Sequence, residues 1–249
     1  MSSSKSPSAG ATPELIWLRP ERTGRGPRPA HSRASIAAAA VALADAEGLD
    51  AVSMRRIAAV LGAGTMSLYN YVPKKEHLFD LMVDAISGEY ELPDAPSGDV
   101  RADLRGLAHQ QLAILRRHPW AVTVIVSRPS LGPNGLRFVE YFLATMANSE
   151  VGSEGSGSGS GSKLEMMSLL NGFVCQFAEW ERGGMSPGQD REQAQRELVD
   201  YLTQSVMTGQ YPHLAQALAS AGAPGDPDSL FERSLGRVLT AMLAPPEPQ

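Results

Sequence analysis

One short stretch, GAGTMSLYNYVPKKEHLFDLM at residues 62–82, concentrates side chains that can bind bases and phosphates. Hydroxyl and amide groups can hydrogen-bond base edges, a Thr or Met methyl can contact a thymine methyl, and ammonium and guanidinium groups can bind phosphate oxygens. This combination predicts binding to duplex DNA. The candidate residues are Arg55, Arg56, Thr65, Met66, Ser67, Tyr69, Asn70, Tyr71, Lys74 and Lys75.

The elements that must position these side chains are three helices separated by tight turns. Apolar residues at helical spacing and a serine cap predict a first helix within residues 32–48, and a second serine cap and a glycine bound another within 53–62. A third, short helix is predicted from Thr65 to about Val72, with Leu68 in the core. This is the helix-turn-helix plan, in which the second helix of the motif enters the major groove.

A fourth, longer helix follows the break at Pro73, with Lys74 and Lys75 where it begins. Its spacing predicts one apolar stripe. The stripe consists of Leu78, Leu81, Met82 and Ala85.

The stretch from Ser32 to Met82 resembles the DNA-binding domain of the tetracycline-repressor (TetR) family. SLYNYVPKKEHLFDLM is similar to that family's signature, and the matching positions are Ser67, Leu68, Tyr69, Tyr71, Val72, Lys75 and Leu78. Gly64 replaces the Ser that the family often has at the helix cap, which weakens a cap by roughly a few tenths of a kcal/mol. The resemblance implies a DNA-contacting set of Arg55, Thr65, Met66, Ser67, Tyr69, Asn70, Tyr71 and Lys75.

Charge is distributed unevenly along the 249 residues. Residues 1–77 carry 10 basic and 6 acidic side chains, a net +4, whereas residues 78–249 carry 12 and 21, a net −9. Only the first segment is suited to a polyanion. The lone cysteine, Cys175, excludes an intramolecular disulfide, and no signal-peptide or membrane-spanning run is present. We therefore expect a cytoplasmic protein.

Residues 1–31 mix Ser, Pro, Gly and Arg without periodicity, so we expect a disordered basic arm. It is either a solvated tail or a segment that folds onto phosphates or into a minor groove. The second alternative makes Arg25 and Arg28 DNA-binding residues. The arginines of this run are Arg19, Arg22, Arg25, Arg28 and Arg33.

The predicted fold is all-α, with the helix-turn-helix domain at 32–82, the rest of a connecting helix at 82–92, and a helical domain at 93–249. The run GSEGSGSGSGS at 152–162 is a flexible loop, native or engineered. Residues 163–183 and 228–243 are apolar over wide arcs, which favours a bundle completed by a second copy. The resemblance implies that these two helices form an intersubunit four-helix bundle.

A repressor of this kind needs an effector pocket, and aromatic and polar side chains in the helical domain could line one. The alternative is that apolar residues at helical spacing are ordinary core. The candidates are His109, Trp120, Tyr141, Met167, Phe173, Gln176, Phe177 and Trp180.

Together these features predict a dimeric, sequence-specific transcriptional regulator of a palindromic operator, released from DNA by a small, partly apolar effector. No HExxH, GxSxG, Walker or Rossmann motif occurs, so we expect no enzyme, cofactor or metal site. The alternative is a helical protein-interaction module whose DNA-binding head is secondary. Whether the regulator represses or activates depends on where its operator lies.

Overall fold

The computed structural model describes residues 15–20, 31–127, 131–147, 159–183, 191–220 and 226–244. Every regular element in these ranges is helical, which confirms the all-α prediction. Two 3-10 turns, Ile16–Leu18 and Leu49–Ala51, accompany the α-helices. The α-helices are α1 (Arg33–Glu47), α2 (Met54–Leu61), α3 (Thr65–Tyr69), α4 (Lys75–Ser87), α5 (Val100–Arg117), α6 (Ala121–Ser127), α7 (Pro133–Thr145), α8 (Gly159–Arg182), α9 (Arg191–Met207), α10 (Pro212–Ser220) and α11 (Pro227–Met242).

The chain divides into two compact units. The first comprises Met1–Gly98 and His109–Ala147, and the second comprises Asp99–Ala108 and Asn148–Gln249. Helices α6 and α7 therefore belong to the same unit as the helix-turn-helix segment. Residue 93, where the sequence predicts the second domain to begin, lies within the first of these units, and the domain division stays a prediction.

In the first unit, α1 begins with a reciprocal serine cap. The Ser35 backbone N–H donates to the Ser32 hydroxyl over 3.1 Å, and the Ser32 N–H donates to the Ser35 hydroxyl over 2.9 Å. The helix ends at Gly48, whose φ of 84° suits only glycine without strain. Its small, fully buried Ala40 faces the core, and α1 packs against α4.

Helix α4 is buried on more sides than the predicted stripe. Leu78, Leu81 and Met82 are buried as expected, but Ala85 is exposed, so its assignment to the stripe is wrong. The helix packs against α1, α6 and α7, and these neighbours cover its polar side as well. The polar residues buried on α4 are His77, Asp80 and Asp84.

Asp84 of α4 caps the start of α7. Its Oδ1 accepts the backbone N–H groups of Asn134 at 2.8 Å and Gly135 at 3.1 Å, which α7 itself leaves without acceptors. A negative charge at a helix N-terminus is also stabilising. The fit is tight at Gly132, where a Cβ would lie 2.4 Å from the Asp84 carboxyl carbon.

The N-terminal segment at residues 15–20 is folded, so the prediction of disorder is wrong there. Ile16 is fully buried. The Arg33 guanidinium donates to the carbonyls of Ile16 at 3.2 Å and Arg19 at 2.9 Å, so Arg33 belongs to this anchor and to α1 instead of a free arm. A Cβ on Gly132 would also lie 2.6 Å from the Trp17 ring, which places Trp17 against the start of α7.

The second unit is organised around aromatic contacts between α8 and α11. The rings of Phe173 and Phe231 stack with centroids 5.6 Å apart, and Phe177 meets Phe231 edge-on at 4.9 Å. The Arg105 Nε of α5 lies 3.6 Å from the Glu232 Oε2 of α11, within ion-pair distance. Helix α8 begins at Gly159, so the last part of the predicted flexible loop at 152–162 is helical.

Helices α9 and α10 bury little. Leu198, Tyr201 and Met207 of α9 are exposed, and no residue of α10 is buried. The loop residues at 184–190 lie outside the described residues.

Candidate nucleic-acid interface

The turn between α2 and α3 is fixed by local sequence. The Ser53 hydroxyl caps α2 by accepting the Arg56 backbone N–H at 3.3 Å. Gly62 ends the helix in the left-handed conformation at φ 64°, and the Ala63 N–H donates to the Ala58 carbonyl at 2.8 Å. These contacts reverse the chain and start α3 at the predicted residue, Thr65.

Helix α3 is anchored on one side and open on the other. Leu68 and Val72 are fully buried, whereas Met66 is 77% exposed and Tyr69 is 41% exposed. The helix ends at Tyr69 instead of near Val72, because Pro73 disfavours helical backbone at the residue before it. A final turn remains, since the Val72 N–H still donates to the Leu68 carbonyl at 2.9 Å.

The other predicted DNA-contacting residues lie around this open face. Five of them are exposed and three, Arg56, Thr65 and Tyr71, are half-buried. The Tyr71 carbonyl accepts the Arg33 Nε–H at 3.3 Å, which ties the end of α3 to the start of α1. The exposed residues are Arg55, Ser67, Asn70, Lys74 and Lys75.

The two adjacent arginines of α2 differ. Arg56 forms an ion pair with Glu47 at the end of α1, and this hydrogen bond raises the pKa of Arg56 and lowers the pKa of Glu47. Arg56 is therefore oriented by a partner within the helix-turn-helix segment. Arg55 points its charge to the surface.

Lys75 stands at the first position of α4. Its Nζ lies 5.3 Å from the centre of the Phe79 ring, a cation–π contact that restrains the side chain near the open face. Arg25 and Arg28, the predicted DNA-binding residues of the arm, lie outside the described residues.

Comparison with known proteins identifies this arrangement. Residues 36–82 match the family model described as bacterial regulatory proteins, tetR family, and residues 92–244 match the tetracyclin repressor-like C-terminal domain. The chain belongs to the TetR family. Its role as a helix-turn-helix DNA-binding regulator follows from this membership, as the resemblance in the sequence implied.

Two curated TetR-type relatives are similar to the chain. The HTH-type transcriptional repressor DrrR1 of Streptomyces coeruleorubidus is 49% identical over 133 residues, which span 53% of this chain and only 49% of DrrR1. An HTH-type transcriptional regulator of Saccharopolyspora erythraea is 30% identical over 241 residues, covering 97% of this chain and 96% of that protein.

Solved TetR-family structures share the fold. Apo ActR from Streptomyces coelicolor superimposes with a TM-score of 0.70 at 26% identity, covering 86% of this chain and 97% of ActR. ActR is also similar in its complexes with (S)-DNPA, at a TM-score of 0.69, and with actinorhodin, at 0.70.

The residues predicted to bind an effector belong to both compact units. His109, Trp120 and Tyr141 belong to the first; His109 is exposed, Trp120 is buried and Tyr141 is half-buried. In the second, Trp180 meets Phe177 with ring centroids 5.3 Å apart. The remaining second-unit candidates are Met167 and Phe173, both half-buried, and Gln176, which is exposed.

Sequence reasoning missed a polar cluster beside the helix-turn-helix segment. His118 and Trp120, in the turn between α5 and α6, both bond Asp45 near the end of α1. The signal that could have drawn attention to it is the pattern His-Pro-Trp in an otherwise apolar segment.

Among the residues that the structure describes, no helix is long and apolar enough to cross a membrane. The same residues contain no group of three or more His, Cys, Asp or Glu side chains that could hold a metal ion.

Proposed function

We propose that the chain is a homodimeric repressor that binds a palindromic operator and leaves it when a small molecule binds. The observation that carries the DNA-binding part is the two-sided character of α3, anchored by buried Leu68 and presenting exposed Met66 and Tyr69. A short helix with this exposure is suited to insertion into a major groove. The repressor relative DrrR1 supports repression in preference to activation.

On this proposal the candidate residues divide by role. Side chains of the first turn of α3 meet base edges, where the Met66 methyl suits a thymine methyl. Tyr69, Asn70 and Tyr71 contact the groove wall, while Arg55, Lys74 and Lys75 bind backbone phosphates. Arg56 takes a phosphate in the orientation that Glu47 gives it. Arg25 and Arg28 reach the adjacent minor groove.

The dimer forms through α8 and α11, and two helical glycines support this. Gly172 of α8 and Gly236 of α11 both face open space, because a Cβ placed on either meets nothing within 4 Å beyond the neighbouring residues and backbone of its own helix. Glycine inside a helix costs about 1 kcal/mol relative to alanine, so two such positions suit close approach by another backbone. Leu169 and Trp180 of α8 are 63% and 51% exposed and would be covered by the second copy.

A two-fold dimer explains why the operator should be palindromic. Two α3 helices related by a two-fold axis read half-sites about one DNA turn, roughly 34 Å, apart. An effector that prefers a conformer with a different separation shifts the population away from DNA. The loss of operator affinity equals the coupling between the two sites, typically about 5- to 150-fold.

We further propose that aromatic and polar side chains hold the effector, and Trp120 of the first unit is the candidate residue with which to test this pocket. The ActR complexes suggest two probes, actinorhodin and (S)-DNPA. Quenching of tryptophan fluorescence by either compound, reduced in Trp120→Phe, would support this pocket. Unchanged quenching in the variant would exclude Trp120 from it.

The test of DNA binding is selection from a random duplex library at two salt concentrations. We expect enrichment of a palindrome that is lost at high salt and in Arg55→Ala, because several phosphate contacts make binding steeply salt-dependent. A folded dimer that enriches no sequence would contradict the proposal. Salt-independent capture of a protein partner would instead favour the interaction-module alternative.

A further inference from the structure

A buried histidine joins three elements of the first unit. His118 is 7% exposed, and its Nδ1 lies 2.8 Å from Asp45 Oδ1 while its Nε2 lies 2.9 Å from Glu89 Oε1. The Trp120 indole N–H donates to the same Asp45 oxygen at 2.7 Å. Arg117 donates to the other oxygen of Glu89, from Nε at 3.1 Å.

The two short contacts of His118 suit a ring that carries a hydrogen on each nitrogen. Ionised carboxylates are acceptors only, so a ring nitrogen at hydrogen-bond distance from one must carry a hydrogen. Both nitrogens of His118 are in this position, so a ring that donates to two ionised carboxylates carries both hydrogens, which is the imidazolium form. A neutral ring would turn one lone pair toward a carboxylate oxygen, and that bond would be replaced by repulsion.

These contacts lie next to the helix-turn-helix segment. Asp45 lies in the last turn of α1, two residues before Glu47, which pairs with Arg56 of α2. Glu89 follows the end of α4, and His118 belongs to the turn between α5 and α6. The charged groups facing the ring are therefore Asp45 from α1 and Glu89 after α4, with Arg117 of α5 behind Glu89.

We propose that Asp45, His118 and Glu89 form a proton-dependent lock that fixes the helix-turn-helix segment to the α5–α6 turn, with His118 and Trp120 acting as positioning residues for DNA binding. The DNA-binding part of this inference rests on the proposed function. The lock is complete while His118 carries both protons and both carboxylates are ionised. Loss of one ring proton as the pH rises opens one side of it.

The variant that tests the lock is His118→Gln, whose amide cannot donate from two opposite sides as the imidazolium does. The matched control is His213→Gln, which changes an exposed histidine on α10. Asp45→Asn removes the charge but keeps an oxygen for the Trp120 N–H. Circular dichroism and thermal melting verify that each variant is folded before binding is compared.

Operator affinity is measured for each protein between about pH 6 and pH 8.5, the range over which histidine commonly changes charge. The reference is the operator affinity of wild type at low pH. We expect His118→Gln at low pH and wild type at high pH to differ from that reference in the same direction, each by about fivefold or more. His118→Gln should have a flatter profile than wild type, and His213→Gln should retain the wild-type profile. Equal pH profiles in His118→Gln and wild type would overturn the coupling.

A second readout does not depend on DNA. Nitrogen-15 NMR of the histidine rings distinguishes an imidazolium from either neutral tautomer, and His118→Gln assigns the signal. We expect both ring nitrogens of His118 to be protonated at the low-pH end of the binding measurements, about pH 6. A neutral ring there would overturn the lock. If no duplex is enriched by any protein, the proposed function fails, and the ring spectrum still decides the protonation of His118.

Discussion

Met66 and Leu68 lie two residues apart on α3, yet Met66 is largely exposed and Leu68 has no exposed surface. One side chain fastens the helix to its domain and the other is presented to solvent. The contrast separates stability from recognition along a single turn of helix. It also provides a matched pair of substitutions.

Leu68→Ala should destabilise the protein, whereas Met66→Ala should not. A leucine deleted from a packed core costs about 2–5 kcal/mol, while a surface change stays within about 0.5 kcal/mol. Urea unfolding measures both. In operator binding, Met66→Ala should weaken affinity by roughly 1 kcal/mol and relax selectivity at one base pair. A Met66→Ala protein with wild-type selectivity would remove Met66 from the recognition surface.

Arg55→Ala should lower the salt dependence of operator binding. Each phosphate contact contributes about one unit to the slope of log affinity against log salt, so the slope should fall by about 1. Fluorescence anisotropy at several salt concentrations measures it. Arg137→Ala, which changes an exposed arginine on α7, is the control and should leave the slope unchanged.

Gly132→Ala should destabilise the first unit. The added Cβ would meet the Asp84 carboxyl group and the Trp17 ring, and overpacking of this kind costs about 1–3 kcal/mol. Gly106→Ala is the contrasting change, because a Cβ there meets nothing within 4 Å in helix α5. It should stabilise by about 0.5–1 kcal/mol. Thermal or urea unfolding measures the free energy of unfolding of both variants. A decrease in Gly132→Ala and an increase in Gly106→Ala would support both predictions, and equal changes would contradict them.

Gly172→Gln should weaken the dimer without unfolding the subunit. A Cβ here meets nothing within 4 Å beyond the neighbouring residues and backbone of its own helix, whereas a glutamine side chain would separate two helices that approach at this glycine. Sedimentation measures the shift toward monomer, and circular dichroism verifies the helix content. Gly106→Gln, also a helical glycine facing open space, is the control. A dimer of unchanged affinity in Gly172→Gln would place the interface elsewhere.

Glu89 gives the stability a dependence on acid pH. Burial acts to raise the pKa of this carboxyl, but hydrogen bonds from Arg117 and then His118 outweigh it and lower the pKa below its ordinary value. A lowered folded pKa means that the stabilisation is complete above the unfolded pKa and is lost as pH falls through the folded one. Between about pH 6 and pH 3, wild type should therefore lose more stability than Glu89→Gln. Urea midpoints across that range measure the difference, and parallel curves would contradict it.

The helix-turn-helix geometry was predictable because its signals are local. Ser53 and Gly62 mark the two ends of α2 by their own backbone preferences, and Leu68 follows from helical spacing. The length of α3 was overestimated, although Pro73 is the residue that limits it. Of the DNA-contacting residues, those on α3 were identified by type, and their roles remain predictions.

Tertiary relationships were not predictable from one sequence. Asp84 reads as an exposed charge on α4, and only the position of α7 explains its burial. Ile16 and Trp17 stand in a segment with no periodicity, so their packing has no local signature. The bonds of Asp45 to His118 and Trp120 join residues more than 70 positions apart.

The anchored segment at residues 15–20 also bears on how such regulators could be recombined. A chimera that takes a foreign reading domain at residue 32 would leave Ile16 without the Arg33 contact that holds its carbonyl. Trp17, which lies against Gly132 at the start of α7, would stay in place beside a segment that has lost its Arg33 anchor. An exchange of operator specificity between relatives should therefore transfer the residues before α1 together with α1 to α4. In this protein the transferable module starts some 17 residues earlier than the helix-turn-helix motif suggests.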